Sequence, residues 1–148
     1  MDHVAIMSVK IPFLERILIG EKTIESRWYS QKRAPWNRVA AGDWLYFKDV
    51  AKSVTLKAQV AKVRQYEFSE PQQVVDLVEK SSLALGLRSQ EIDGFIERVK
   101  LKRYAIFIDL QLVTAIAPFY INKRGFGSMS AWITVPDIKQ IAQFGRQH

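Results

Sequence analysis

A lysine, a glutamate and an arginine lie close together in the segment 20–27, GEKTIESR. If this segment is an extended strand, Glu25 and Arg27 share one face and Ile24 lies on the other. Ile24 then enters the core, and Glu25 pairs with Arg27, which keeps the carboxylate ionised. Lys22, at the preceding turn, reaches the same surface. The pattern predicts a polar cleft wall; the alternative is an exposed strand with a weak surface ion pair.

The stretch 27–38, RWYSQKRAPWNR, which we call the basic loop, has four basic side chains and no acidic one. Its cations are suited to neutralising phosphates, and its aromatic rings are suited to stacking on an unpaired base. The alternative for the tryptophans is burial. The candidate ligand-binding residues here are Arg27, Lys32, Arg33, Trp36 and Arg38.

A second candidate loop, residues 123–127, which we call the glycine loop, contains Lys123 and Arg124 beside Gly125 and Gly127. Glycines allow backbone N–H groups to approach a phosphate closely, although an ordinary glycine loop is the simpler alternative. The spacing is not that of a P-loop. The neighbouring serines, at positions 128 and 130, have no histidine beside them in the sequence, so we do not interpret them as nucleophiles.

Composition excludes several kinds of site. The 148-residue chain has no cysteine, and its two histidines, His3 and His148, are near the two ends. A disulfide framework, a thiolate metal site and a histidine-based zinc site or catalytic triad are therefore not expected. We predict no metal and no cofactor. No apolar run approaches the roughly 20 residues that cross a bilayer, and no signal sequence is evident, which predicts a cytoplasmic protein without a membrane partner.

The net charge of +7 favours an anionic partner. The alternative is that the charge only keeps the protein soluble. The charge is unevenly distributed, because the surplus is concentrated before residue 68 and the stretch 68–103 is balanced. The uneven distribution favours a binding surface in the first half of the chain.

The apolar patterns predict the elements that position these residues. Strands are expected at 3–9, 23–27, 44–48, 54–66, 103–112 and 131–135, and helices at 12–19, 71–79, 89–101 and after Pro136, with a loop at 117–128. Strands are too numerous for a doubly wound sheet. We predict one α+β domain over residues 1–148, a small mixed β-barrel with helices packed around it and a helical insert at about 69–101.

The pattern Gly20, Lys22, Glu25 and Arg27, followed by a Gly42-Asp43 turn, resembles the ASCH domain, a branch of the PUA-like fold. The late Lys123-Arg124 and Ala131-Trp132 pairs are similar to those of a subset of ASCH proteins. The resemblance implies a compact PUA-like barrel whose cleft wall carries the motif and binds RNA, a nucleotide or a modified nucleoside. Lys22 and Arg27 would contact phosphate or a base edge, and Glu25 would accept from a base N–H or hold Arg27.

The resemblance also implies a rival function, because some ASCH proteins are nucleoside amidohydrolases that act on N4-acetylcytidine and others are ribonucleases. Lys22 matches the lysine of the amidohydrolase branch, but Glu25 stands where that branch has a threonine nucleophile. Glu79 is the candidate for its distant glutamate. An enzyme would therefore use Lys22, Glu25 and Glu79. A third alternative is a protein partner bound by the helices of 71–101.

Overall fold

Strands make up most of the molecule, and in the computed structural model, which describes residues 1–127 and 129–143, they form one seven-stranded sheet. The strands are β1 (Asp2–Met7), β2 (Ile24–Tyr29), β3 (Trp44–Asp49), β4 (Val54–Glu67), β5 (Tyr104–Ile121), β6 (Trp132–Val135) and β7 (Ala142–Gln143). The helices are α1 (Phe13–Leu18), α2 (Pro71–Ser81) and α3 (Ser89–Val99), with a 3-10 turn at Ile138–Gln140.

The strand order is β2-β5-β4-β3-β1-β6, with β7 paired to the far end of β5. Only β1 and β3 are parallel among these pairs, because α1 and β2 intervene between them along the chain. The terminal strands β2 and β6 do not pair with each other, and the sheet curls into a half-barrel. The predicted mixed α+β fold is confirmed.

Alternation along β5 gives the sheet two apolar faces. Ile106 and Ile108 point into the half-barrel, where they join a core that contains Leu45 and Phe47. Ala105 and Phe107 point outward and pack under the helical insert, with Val74, Phe95 and Ile96. Ile24 of β2 belongs to this outer cluster and is buried, as its position opposite Glu25 predicts.

Two sequence predictions near the end of the chain are wrong. Residues 117–121 are not loop, because β5 continues to Ile121, with Phe119 opposite Val54 of β4. The helix expected after Pro136 is only a 3-10 turn, followed by β7. Both errors come from pairing with distant strands, which local periodicity does not reveal. Phe144 of that predicted helix, Ser128 and His148 lie outside the described residues.

Candidate functional site

A cleft of about 340 Å³ follows the free edge of β2. Residues from both faces of β2 line it, so the cleft straddles the strand edge. One wall consists of Ile6, Met7, Ser8 and Ala131, and the other comes from α3 and the turn after it. The structure brings Lys22, Glu25 and Arg27 together in this cleft, as their spacing predicts.

Lys22 is almost completely buried, with 2% of its surface exposed. Its Nζ donates to the carbonyl oxygens of Ile24 at 2.6 Å and Leu85 at 3.0 Å, and it lies 3.5 Å from Glu25 Oε1. The ammonium also lies 4.4 Å from the centre of the Phe13 ring. Burial lowers the pKa of Lys22, and the carboxylate of Glu25 opposes that effect. The Lys22 ammonium therefore directs its N–H groups to protein oxygens and not to the open cleft.

Glu25 is also buried, at 3% exposure, and holds a second cation. Its Oε2 accepts from Nε and Nη2 of Arg27, at 3.0 and 2.9 Å. The same guanidinium donates to the carbonyl oxygens of Ala131 at 3.1 Å and Ile6 at 3.4 Å. Arg27 thus bridges β2 to the far side of the half-barrel opening, and the cluster carries two basic groups for one carboxylate.

Gly86 makes the burial of Lys22 sterically feasible. Its φ is +76°, and a β-carbon at this position would lie 2.6 Å from the Lys22 Cβ. The segment that follows α2 can therefore press against Lys22 and offer it the Leu85 carbonyl. The sequence of residues 81–87 has no clear helix or strand pattern, and nothing local in it indicates this close approach to Lys22.

Two cations that the sequence analysis missed stand on the opposite wall, Arg98 of α3 and Lys102 just after it. Arg98 is exposed and lies over the Phe95 ring at 5.2 Å. Neither side chain has an ion pair within the part of the chain that the structure describes. The i, i+4 spacing of Arg98 and Lys102 is the one sign in the sequence that the two cations could act together. Only the docking of the insert brings them to the cleft.

The first three residues of the basic loop, 27–29, continue β2, and its remaining residues, 30–38, lie beyond the end of that strand. Lys32, Arg33 and Arg38 are exposed, whereas Trp36 is half-buried with its ring centre 5.2 Å from that of Tyr104. A second hollow of about 410 Å³ joins this loop to the glycine loop and is lined by Tyr29, Arg33, Ala34, Gly127, Met129, Ser130, Ala131 and Trp132. It shares Tyr29 and Ala131 with the cleft, so the two depressions adjoin.

The remaining candidates are placed less centrally. Lys123 donates from Nζ to the Ser130 carbonyl at 3.1 Å, which braces the glycine loop, and Arg124 is exposed. Glu79 is exposed on α2 and is not among the residues lining the cleft. The structure therefore does not join Glu79 to Lys22 and Glu25.

His3 is near the start of the chain, and its side chain is fully buried in a polar network. Its Nε2 lies 2.8 Å from Asp43 Oδ2, and its Nδ1 lies 2.9 Å from Thr134 Oγ1. Trp132 Nε1 donates to the same Nδ1 at 3.2 Å. Burial lowers the pKa of His3. None of these four residues lines the cleft, and only Trp132 also lines the adjoining hollow. The hydrogen bonds of the network tie β1, β6 and the turn before β3 together.

Among residues 1–127 and 129–143, no group of three or more His, Cys, Asp or Glu side chains is placed to hold a metal ion. No helix there is long and apolar enough to span a membrane.

Comparison with solved structures shows the same fold. The crystal structure of ASCH from Zymomonas mobilis is 19% identical, with a TM-score of 0.63 over 90% of this chain and 87% of that chain. A serine-to-alanine mutant of that protein gives 0.65 at 19% identity, over 94% and 91% of the two chains. The N-terminal domain of Staphylothermus marinus McrB gives 0.54 at 12% identity, over 79% and 75%.

Comparison of the sequence alone is more specific for the family. No curated protein matches the chain. The sequence model of the ASCH domain matches residues 7–116, a range that includes the Lys22, Glu25 and Arg27 cluster and both helices of the insert. The chain belongs to the ASCH domain family.

Proposed function

We propose that this chain is a cytoplasmic RNA-binding protein that acts in RNA metabolism, and that the cleft along β2 is its binding site. The observation that carries the proposal is the charge of the cleft. Four basic side chains line it, Lys22, Arg27, Arg98 and Lys102, against the carboxylate of Glu25. The family is generally linked to RNA binding, which agrees with this surplus.

The more buried and the more exposed basic residues of the cleft have different roles. Lys22 and Arg27 donate to protein oxygens, so they contribute a fixed positive field at the cleft floor. Arg98 and Lys102 form no ion pair with any acidic side chain of residues 1–127 and 129–143, and they would contact phosphates directly. Glu25 pairs with the buried Lys22 and the partly buried Arg27 and so holds both cations in place at the floor.

The adjoining hollow extends this path toward the basic loop. Lys32, Arg33 and Arg38 would meet the phosphates that follow. Arg124 is exposed three residues before Gly127, which lines the hollow, and would add a further cation. Tyr29 belongs to both depressions and offers a ring at their junction. A nucleic acid strand running from α3 to the basic loop would pass this ring.

A salt series tests the proposal. If a single strand meets about four phosphates on this path, log K should fall against log salt with a slope of roughly −3. Filter binding of a single-stranded oligouridine measures it. A slope near zero, or no binding at low salt, would remove the RNA backbone from the site. Robust turnover of N4-acetylcytidine by the unmodified protein would replace the binding function with the hydrolase.

Charge variants locate the path. Replacing Lys32, Arg33 and Arg38 together by alanine should flatten the salt slope and leave the melting temperature nearly unchanged, because all three are exposed. Replacing Lys52, Lys80 and Lys139 by alanine is the matched control, since these exposed lysines lie outside both depressions and remove the same charge. Equal loss in both triple variants would mean that net charge alone attracts RNA.

A further inference from the structure

The outer edge of β2 is open where it passes through the cleft. β2 is the last strand of the sheet, and in the described ranges only β5 pairs with it. Thr23 O accepts from Leu110 N at 3.0 Å, so the odd-numbered residues of β2 direct their backbone groups toward β5. Tyr29 O likewise accepts from Arg103 N at 3.0 Å, just before β5 begins, which agrees with this assignment.

The backbone groups of Ile24, Ser26 and Trp28 therefore point away from β5, because successive residues of an antiparallel strand alternate. At Ile24 the edge is already covered, since Ile24 N donates to Ala84 O at 3.0 Å and Lys22 Nζ donates to Ile24 O. At Ser26 and Trp28 no strand or segment covers it within the described residues. Both residues line the cleft.

An outward-facing residue of an extended strand presents an N–H beside a C=O. Each nucleobase carries a donor next to an acceptor on its Watson–Crick edge, and single-stranded RNA exposes that edge to proteins. The cleft volume of about 340 Å³ lies at the small end of the range of about 300–1,000 Å³ for ligand pockets. Its volume and its open backbone groups suit one base.

We propose that the β2 edge at Ser26 and Trp28 forms paired hydrogen bonds with the Watson–Crick edge of an unpaired nucleobase. Arg98 and Lys102, on the facing wall, then hold the phosphates beside that nucleotide. This inference rests on the proposed function and narrows it to single strands. A duplex is rejected because pairing already occupies the edge that the protein reads.

The decisive comparison changes the ligand and leaves the protein intact. Three single-stranded oligonucleotides of equal length contain uridine, 3-methyluridine or 5-methyluridine, which carry the same phosphate charge. A methyl group on N3 removes the donor of the Watson–Crick edge, whereas a methyl group on C5 leaves that edge intact. We expect 3-methyluridine to bind about 10-fold more weakly or worse, and 5-methyluridine to bind within about 2-fold of uridine.

The outcomes separate the two levels of the argument. Equal binding of the uridine and 3-methyluridine strands would overturn the base-edge proposal and leave RNA binding in place. Binding of none of them, at low salt, would overturn the proposed function itself. A uridine–adenosine duplex that bound as tightly as the single strand would also overturn the base-edge proposal.

A protein variant tests the same contact from the other side. Ser26→Pro removes the outward N–H without removing a bond to β5, and edge strands accept proline at such positions. Ser26→Ala keeps the N–H and is the control. We expect Ser26→Pro to weaken uridine binding several-fold relative to Ser26→Ala, with little further loss on 3-methyluridine. A folded Ser26→Pro that binds like Ser26→Ala would contradict the proposal; if it does not fold, the ligand series decides.

Discussion

Glu25 is the residue on which the floor of the cleft depends. Among the described residues that line the cleft it is the one carboxylate, and it faces both Lys22 and Arg27. The spacing of these residues predicts that they meet, but a pattern of residue types carries no information on their burial. Exposed ion pairs contribute less than about 1 kcal/mol to the stability of a fold. Removing one partner of a buried ion pair leaves the other charge buried without compensation.

Glu25→Ala should therefore destabilise the fold by about 3–5 kcal/mol, because it leaves the buried Lys22 ammonium without its carboxylate. Denaturant unfolding measures the change. Arg98→Ala is the matched control, since Arg98 lines the same cleft but is exposed, and its free energy of unfolding should change by less than about 0.5 kcal/mol. A Glu25→Ala protein as stable as the control would show that Lys22 is not held as a buried charge.

At the scale of elements, the helical insert completes the site. Arg16 of α1 donates to Gly86 O and to the carboxylate of Glu91, each at 2.9 Å, which ties α1 to the insert. Phe95 and Val99 then reach the cleft, together with Arg98. The insert, first considered as a surface for a protein partner, supplies a cleft wall, and such a partner stays a prediction for its outer side.

The sequence predicts the elements that have clear local periodicity, which include β4, α2 and α3. It does not predict where the insert docks, because that depends on Arg16 meeting Glu91, 75 positions away. The position of Arg98 in the site depends on the same docking. The extension of β5 beyond residue 112 and the turn at Gly86 escape prediction for a related reason, since their conformations depend on β4 and on Lys22.

Gly86→Ala should destabilise the protein by at least about 1–3 kcal/mol. The new β-carbon would lie 2.6 Å from Lys22 Cβ, and the alanine would have to keep the positive φ of Gly86. Gly94→Ala is the control, because this glycine lies within α3 and a β-carbon added there would meet nothing within 4 Å. Alanine at this position should raise the free energy of unfolding by about 0.5–1 kcal/mol. Thermal melts of both variants decide. A Gly86→Ala protein as stable as the Gly94→Ala protein would contradict the close approach to Lys22.

At the scale of the whole molecule, His3 joins parts that are far apart along the chain. The imidazole lies on β1, Asp43 precedes β3, and Trp132 and Thr134 belong to β6. An indole N–H only donates, so Nδ1 of His3 must accept and Nε2 must carry the proton toward Asp43. This network holds the imidazole on β1, between β3 and β6 in the strand order.

The protonation of His3 should therefore make folding depend on pH. Burial lowers the pKa of His3 below its ordinary value of 6.5, and the effect exceeds the opposing influence of Asp43. The unfolded chain binds a proton near pH 6.5, whereas the folded chain binds it only at lower pH. The stabilisation is present above pH 6.5 and is lost as the pH falls from 6.5 through the folded-state pKa.

Urea unfolding at pH 7.5 and 5.5 measures this loss, and an NMR titration of the His3 ring gives the folded-state pKa directly. The other charges near the ring are Asp43, Asp2 and the terminal amine. Hydrogen bonds from His3 and from the Ala40 N–H hold the pKa of Asp43 below 3.8 despite its partial burial, so that group titrates in a separate, more acidic window. A His3 pKa at or above 6.5 would contradict the prediction, because the folded state would then lose no stability between pH 7.5 and 5.5 through this residue.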